Sequence, residues 1–313
     1  MITRAVRLGI VGLGAMGGRV LQIAQSHPDY EVVAAADLDP TVVERWAREF
    51  PAIHFTTDPA EVVAAEIDAL YVATPPATHA DLTVAAFAAG RAVFCEKPLA
   101  VSLADGQRMV EAVAGSGRAA AVNFALSDQP ATRYLEEVLG AAGEIRAVEI
   151  RLAFPHWPRP FQASAAWLGE RAQGGFIREV FSHFAYLTDR LIGPLTPVDL
   201  VLDHRGPGAE VAAFGLYRAG DVPVQVSGVI AGPTTYEWIV RGTERSYLLR
   251  DWTELFVAEG NEWERVGLPE ERSGDASRLS LFAEAVRGNH PENLADFASA
   301  YRVQQAVEAW HTS

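Results

Sequence analysis

The chain has 313 residues, 49% hydrophobic and 21% charged, the proportions of an ordinary globular protein long enough for two domains. Its net charge of −14 excludes the basic surface that a phosphate backbone selects, so no nucleic-acid partner is expected. No apolar run reaches the ~18 residues of a membrane span, and the single cysteine, Cys95, allows no internal disulfide, which fits a cytoplasmic protein.

Arg4 and Arg7 precede an apolar stretch, but Gly9, Gly12 and Gly14 break it, so it reads as a buried strand entering a glycine turn rather than a signal peptide. From there to about residue 122, short apolar runs (Val6–Val11, Glu31–Ala36, Ala69–Ala73, Ala92–Cys95, Ala119–Val122) alternate with helical stretches (Ala15–Ser26, Pro40–Glu49, Ala77–Ala89, Leu103–Gly115). That alternation predicts βαβ units and a parallel sheet. Asp39 followed by Pro40 predicts a helix cap.

Beyond residue 123 the pattern changes. A helix is predicted at Ala131–Leu139, strands at Ile145–Phe154, Val198–Asp203, Val211–Arg218, Val222–Ile230, Tyr236–Arg241 and Ser246–Arg250, a long helix at Gly175–Ile192, and two closing helices at Ala276–Arg287 and Asn293–Trp310. Successive strands with short turns predict a mostly antiparallel, open sheet. The expected fold is therefore α/β: a Rossmann dinucleotide-binding domain over 1–122 and an α+β substrate-binding and oligomerisation domain over 123–313.

Gly12-Leu13-Gly14-Ala15-Met16-Gly17 is a G-x-G-x-x-G string between a predicted strand and a predicted helix. The glycines permit a tight turn and let backbone approach a pyrophosphate at the helix N-terminus. Asp37 lies twenty residues beyond Gly17, at the end of the second predicted strand. A carboxylate there binds ribose hydroxyls and repels a 2′-phosphate, so NAD is favoured over NADP. Thr74, Pro75 and His79 follow the fourth strand, and Glu96 and Lys97 the fifth; strand ends of this kind carry ligands in open α/β sheets, and these residues join Gly12, Gly14, Ala15, Met16, Gly17 and Asp37 as candidate cofactor contacts.

With Glu96-Lys97-Pro98 at a strand end, the chain resembles the glucose–fructose oxidoreductase / inositol dehydrogenase / MocA family. That family also carries a Gly-Gly pair opening a helix with an Asp and, four residues on, a His. Here the segment reads Gly174-Gly175-Phe176-Ile177-Arg178-Glu179-Val180-Phe181-Ser182-His183: His183 falls on the family's histidine, Glu179 stands where Asp is usual, and Phe181 replaces a usual glycine. The resemblance implies an NAD-dependent oxidoreductase with Lys97 and His183 at the reacting oxygen, Glu179 orienting or tuning one of them, and a Pro98 peptide bond that is often cis. Read without the family, the helix is apolar nearly all round and therefore buried, with Glu179 and His183 on one face. Histidine titrates near neutrality and suits proton transfer from an alcohol, while a lysine stabilises a developing alkoxide.

Asn123, Trp157 and Arg178 are the candidate substrate contacts. The stretch Asn123-Phe124-Ala125-Leu126-Ser127 lacks the arginines of an Asn-Arg-Arg-like segment found in many sugar-active relatives, and the loop Phe154–Phe161 is rich in aromatics and prolines. Both point to a substrate that is small, partly apolar or a ring rather than a highly hydroxylated sugar, within a range that runs from sugar and cyclitol to a less polar cyclic alcohol. His156 and Arg159 read as surface-loop residues, and no Cys/His spacing suggests a metal site. Relatives self-associate through the second sheet, which implies a homodimer or homotetramer. Two other functions fit the same residues: an NAD-retaining glycoside hydrolase, and a non-catalytic dinucleotide-binding sensor, which would have no need of Lys97 and His183.

Overall fold

The computed structural model describes residues 4–162, 165–269 and 274–312. The chain forms two compact units, 1–124 with 272–301 and 125–271 with 302–313.

The first unit alternates strands and helices in chain order: β1 (Val6–Val11), α1 (Ala15–Ser26), β2 (Tyr30–Ala36), α2 (Pro40–Glu49), β3 (His54–Thr56), α3 (Pro59–Ala64), β4 (Ala69–Val72), α4 (His79–Ala88), β5 (Ala92–Cys95), α5 (Leu103–Ser116) and β6 (Ala120–Val122). All pairings are parallel, in the order β3-β2-β1-β4-β5-β6. This is the doubly wound order whose crevice opens between β1 and β4. The strands are near-continuous apolar runs because helices cover both faces. Asp39 caps α2 as expected, its carboxylate accepting from Thr41 Oγ1 at 2.7 Å and Thr41 N at 2.8 Å, which hold its pKa below the usual carboxylate value. The edge strand β3 and the short α3 carry too few residues to show a period in the sequence.

The second unit holds α6 (Pro130–Val138), β7 (Ile145–Ala153), α7 (Ser182–Leu191), β8 (Leu195–His204), β9 (Glu210–Ala219), β10 (Val222–Val229), β11 (Thr235–Gly242), β12 (Ser246–Arg250), β13 (Glu254–Ala258) and β14 (Glu264–Arg265). Its sheet runs β14-β13-β12-β11-β7-β10-β9-β8. Every pairing is antiparallel except β7 with β10, whose strands lie side by side in the same direction. On one face β8 and β9 leave Val201 (58% exposed) and its register partner Phe214 (52%) open to solvent.

Two helices follow, α8 (Gly274–Val286) and α9 (Phe297–Thr312). The stretch 272–301 completes the first unit's core. Phe282 stacks on Phe94 at 4.9 Å, Tyr30 Oη donates to Leu279 O at 2.6 Å, and Val122 N donates to Ala295 O at 2.8 Å. Full burial of Phe282 alone contributes roughly 2–3 kcal/mol. Among the described residues no helix is long and apolar enough to cross a membrane.

Candidate active site

The glycine turn follows β1 directly. Gly12 has φ +92°, and a Cβ there would lie 2.6 Å from the Ala73 carbonyl carbon; a Cβ at Gly17 would overlap the Gly12 carbonyl oxygen. Those two glycines are required by the fold itself. Gly14 differs: it is exposed, and a Cβ on it would meet nothing within 4 Å. It caps α1 without any side-chain hydrogen bond, and the first turn holds no acidic residue. Ala15 and Met16 are exposed beside it. The open helix N-terminus leaves backbone N–H groups aimed at solvent where an anion is favoured, so the residues present fit a dinucleotide pyrophosphate.

Asp37 is held by backbone on both oxygens: Leu13 N donates to Oδ2 at 2.7 Å and Asp39 N to Oδ1 at 3.0 Å. A carboxylate offers about four acceptor sites, so two remain for ribose hydroxyls.

His79 is placed differently from the other candidate cofactor contacts. It is fully buried, with Nε2 2.8 Å from Thr74 O and Nδ1 3.0 and 3.2 Å from Pro98 O and Leu99 O. The prolines of these two turns offer no N–H, and the ring ties the turns together instead. Burial pulls its pKa down, opposed by the surrounding carbonyls. Thr74 is half-buried and accepts from Thr78 Oγ1 at 2.7 Å, and Pro75 is exposed.

Lys97 stands half-exposed at the end of β5, and the Lys97–Pro98 bond is cis. Its backbone N donates to Glu96 Oε2 at 3.3 Å. Glu96 itself is buried. Tyr71 Oη and Asn123 Nδ2 (2.8 Å) both donate to its Oε1. Burial raises the pKa of this carboxyl, opposed by the Lys97 charge and by the two hydrogen bonds. Asn123 is buried too, its Oδ1 accepting from Arg278 Nε at 2.6 Å, and Arg278 pairs with Asp275. Glu96 and Asn123 therefore form a foundation under the lysine turn.

In the second unit, Gly174 and Gly175 open the segment that carries Glu179 and His183. Gly175 has φ +98°, and a Cβ there would overlap the Glu210 carboxylate. Glu210 is buried and accepts from Ile177 N at 2.7 Å, capping the segment from another strand. Burial raises its pKa and the Ile177 N–H opposes that. The expected single helix over Gly175–Ile192 is not uniform: Ile177–Phe181 forms one wide π-helical turn before α7 begins at Ser182. Such turns recur at functional sites because they re-aim side chains. Ser182 Oγ donates to Arg178 O at 2.7 Å across it.

His183 is buried, and its Nδ1 accepts from Ala125 N at 3.2 Å. With its proton on Nε2, the neutral ring is a donor on that side. Glu179 Oε1 accepts from Gln162 Nε2 at 2.8 Å and Arg159 Nη2 at 3.2 Å. Arg159 is thus a half-buried partner of Glu179 rather than a surface-loop residue, with Nη1 donating to Tyr236 Oη at 3.2 Å. Arg178, expected to meet substrate, is buried and committed to Glu308 by two bonds of 2.7 and 2.8 Å. Trp157 donates from Nε1 to Leu168 O at 2.9 Å and packs edge-on against Phe154 and Phe176. Of the aromatic loop, Phe154 is core while Phe161 is exposed. Gln162, Tyr236 and Trp252, whose indole lies against His183, were not expected from the sequence; the one signal was a hairpin between two strands whose tip, Asp251-Trp252-Thr253, holds no glycine.

A sequence profile described as an oxidoreductase family with an NAD-binding Rossmann fold, that of the glucose–fructose oxidoreductase, inositol dehydrogenase and MocA proteins, matches residues 6–124. An Amycolatopsis mediterranei protein named for a UDP-kanosamine synthase oxidoreductase subunit is 30% identical over 94% of this chain and 88% of its own length. The chain belongs to that family of oxidoreductases. Inositol 2-dehydrogenase 4 of Saccharopolyspora erythraea is 38% identical over 120 residues, which is 38% of this chain and 36% of the relative. The alignment thus spans little more than a third of that curated relative. A solved 3-ketoreductase from Actinomadura kijaniata, in complex with NADP and TDP-benzene, shares the fold at TM-score 0.85 and 21% identity, covering 99% of this chain and 98% of its own. The profile is described by NAD, and that solved structure holds NADP.

Proposed function

We propose that this family member is an NAD-dependent dehydrogenase or reductase of a cyclic secondary alcohol and its ketone. The observation that carries the reading is Lys97 at the end of β5, on the same sheet edge as the open glycine turn after β1. When bound, the dinucleotide supplies or accepts the hydride. Gly12, Gly14 and Gly17 with the start of α1 hold its pyrophosphate, and Asp37 takes the ribose hydroxyls. Lys97 supplies a cation to the substrate oxygen and carries the proton that oxygen gains or loses. His183 donates from Nε2 to the same oxygen and fixes its direction. Glu179, held by Arg159 and Gln162, anchors the histidine segment to the loop before it. Glu96 and Asn123 support Lys97 from below, and Arg178 is left out of the site because Glu308 occupies it. Phe161, the exposed ring of the aromatic loop, and Trp157, each lying under the Arg159 guanidinium at 4.7 and 5.6 Å, suit the apolar face of a ring.

The supporting test is calorimetric titration with NADH and NADPH. The expected result is tight NADH binding, weak NADPH binding, and a loss of NADH affinity of tenfold or more in Asp37→Ala. Equal affinities for both dinucleotides in parent and variant would remove Asp37 from cofactor choice. A 340 nm panel of myo-inositol, UDP-glucose and dTDP-glucose then separates a cyclitol enzyme from a nucleotide-sugar enzyme; no turnover of any ring alcohol or ketone overturns the reading. We also assign self-association to the open apolar strip of Val198, Val201, Phe214 and Leu216. Light scattering of Phe214→Glu as a monomer supports it, and an unchanged oligomer sinks it.

A further inference from the structure

Helix α8 buries two opposite charges three residues apart, Asp275 at 7% exposure and Arg278 at 3%. The next turn of the helix is fixed in the core, where Phe282 stacks on Phe94 and the Leu279 carbonyl takes the Tyr30 hydroxyl. Arg278 Nη2 donates to Asp275 Oδ1, and Arg19 on α1 reaches Asp275 Oδ2 at 2.6 Å. The buried pair thus balances its own charge, with an exposed arginine beside it. Arg278 nevertheless commits Nε to an uncharged group, Asn123 Oδ1, at 2.6 Å. All these residues, with Glu96 and Tyr71, belong to the first unit.

The Asn123 amide has a different kind of neighbour at each end. A guanidinium only donates, so Arg278 selects the amide oxygen. At the other end Nδ2 donates to Glu96 Oε1 at 2.8 Å and to Tyr71 Oη at 3.0 Å, so both N–H groups are placed. A half-turn about χ2, a broad torsion for asparagine, would set oxygen against carboxyl oxygen and N–H against guanidinium, and both ends would oppose it. Without Arg278 the amide oxygen would be a buried acceptor with no donor, and the amide would gain by turning to find one. Glu96 would then lose the N–H that holds Oε1. Its other oxygen takes the Lys97 N–H at 3.3 Å, so a slack carboxyl is felt at the backbone of Lys97 itself. The titratable and charged groups around this carboxyl are Tyr71 on β4, Cys95 on β5, Lys97 just after it, and Asp275 on α8.

We propose that Arg278 is a positioning residue for the lysine turn, holding the Asn123 amide in one orientation and through it the Glu96 carboxyl beneath Lys97. This rests on the assignment of Lys97 to the reacting oxygen. Two double variants of the full-length enzyme test it. Arg278→Met with Asp275→Asn removes both buried charges together, so no unpaired one is left to unfold the helix. Arg278→Gln with Asp275→Asn returns an N–H donor without charge, since glutamine Nε2 stands at the same place along the side chain as arginine Nε. In ¹⁵N-labelled protein the Asn123 carboxamide should give one sharp pair of proton signals in the parent. That pair should shift and broaden in the methionine variant and return in the glutamine variant. The Glu96 carboxyl, followed by its ¹³C shift, should titrate at higher pH in the methionine variant, because the Asn123 N–H opposes the effect of burial. An unshifted Asn123 pair with an unmoved Glu96 titration overturns the proposal. With the ring substrate returned by the panel above, kcat per folded methionine variant should fall at least tenfold while KM moves less than threefold, and the glutamine variant should recover most of the loss. A loss that glutamine leaves unrecovered overturns the role of the amide. Full turnover in the methionine variant beside an inactive Lys97→Ala brings down the proposal alone. Full turnover in Lys97→Ala brings down the assignment beneath it, and the proposal with it.

Discussion

With Lys97 in the role proposed above, Lys97→Ala should lower kcat about a thousandfold, close to 4 kcal/mol of transition-state stabilisation, while the affinity for NADH should change less than threefold. The magnitude follows from two losses at once: the cation that stabilises a developing alkoxide, and the group that carries its proton. The pyrophosphate and ribose contacts proposed above lie on the β1 and β2 ends and would be untouched, which is why binding and turnover should separate. Lys97→Arg should not restore the rate, because a planar guanidinium that keeps its proton can supply charge but no proton transfer. Steady-state rates at 340 nm beside calorimetric NADH titrations decide it; a kcat within tenfold of the parent would leave the lysine a mere strand-end charge. The buried Glu96 gives a further check. Burial raises the pKa of its carboxyl and the Lys97 charge opposes that, so Lys97→Ala should raise it further, visible by carboxyl ¹³C shifts.

Gly175→Ala should cost about 3 kcal/mol or more. The φ of +98° already excludes a relaxed alanine, and its Cβ would lie 2.6 Å from the Glu210 carboxyl carbon. Glu210 cannot simply step aside, because it is buried and takes the Ile177 N–H. Either the carboxylate leaves and strands that donor, or the π turn shifts and carries Glu179 and His183 with it. Thermal unfolding should show the second unit melting lower by roughly 6–12 °C. The double variant Gly175→Ala with Glu210→Ala should be less destabilised than the sum of the two singles, since the clash is gone while the backbone strain remains. Additive effects would show that Glu210 and Gly175 do not meet.

Much of the cofactor side was legible because its signals are local. The glycine string, the strand before it and Asp37 sit within a few dozen residues, and Gly12 and Gly17 answer to a steric need in one turn. The lysine turn was legible from three adjacent residues. What lay beyond reading was assembled from distance. Arg278 reaches Asn123 from 155 positions away, and Asn123 reaches Tyr71 across 52. No period or spacing announces such partners, so Asn123 read as a substrate contact when its amide is spent on Tyr71, Glu96 and Arg278. Arg178 misled for a similar reason: its place on the histidine segment suggested the site, but Glu308 lies 130 residues further on. The wide turn at Ile177–Phe181 was hidden because an inserted residue leaves the apolar pattern of a buried helix intact. Glu179, one methylene longer than the family's usual aspartate, meets Arg159 and Gln162 from a loop that sequence alone places at the surface.

The return of residues 272–301 to the first unit bears on how the molecule is made. A ribosome emits the six strands of the parallel sheet first, yet Phe94 and Tyr30 wait for Phe282 and Leu279 to cover and bond them. The buried Asn123 amide waits for Arg278 in the same way. Until residues 278–282 have emerged, the first unit carries an unfinished apolar face and a carboxamide oxygen that lacks its arginine. The second unit waits longer still, for residues 302–313, which bring Glu308 to Arg178 and the Ala306 carbonyl to Tyr217, so neither unit closes before α9 has emerged.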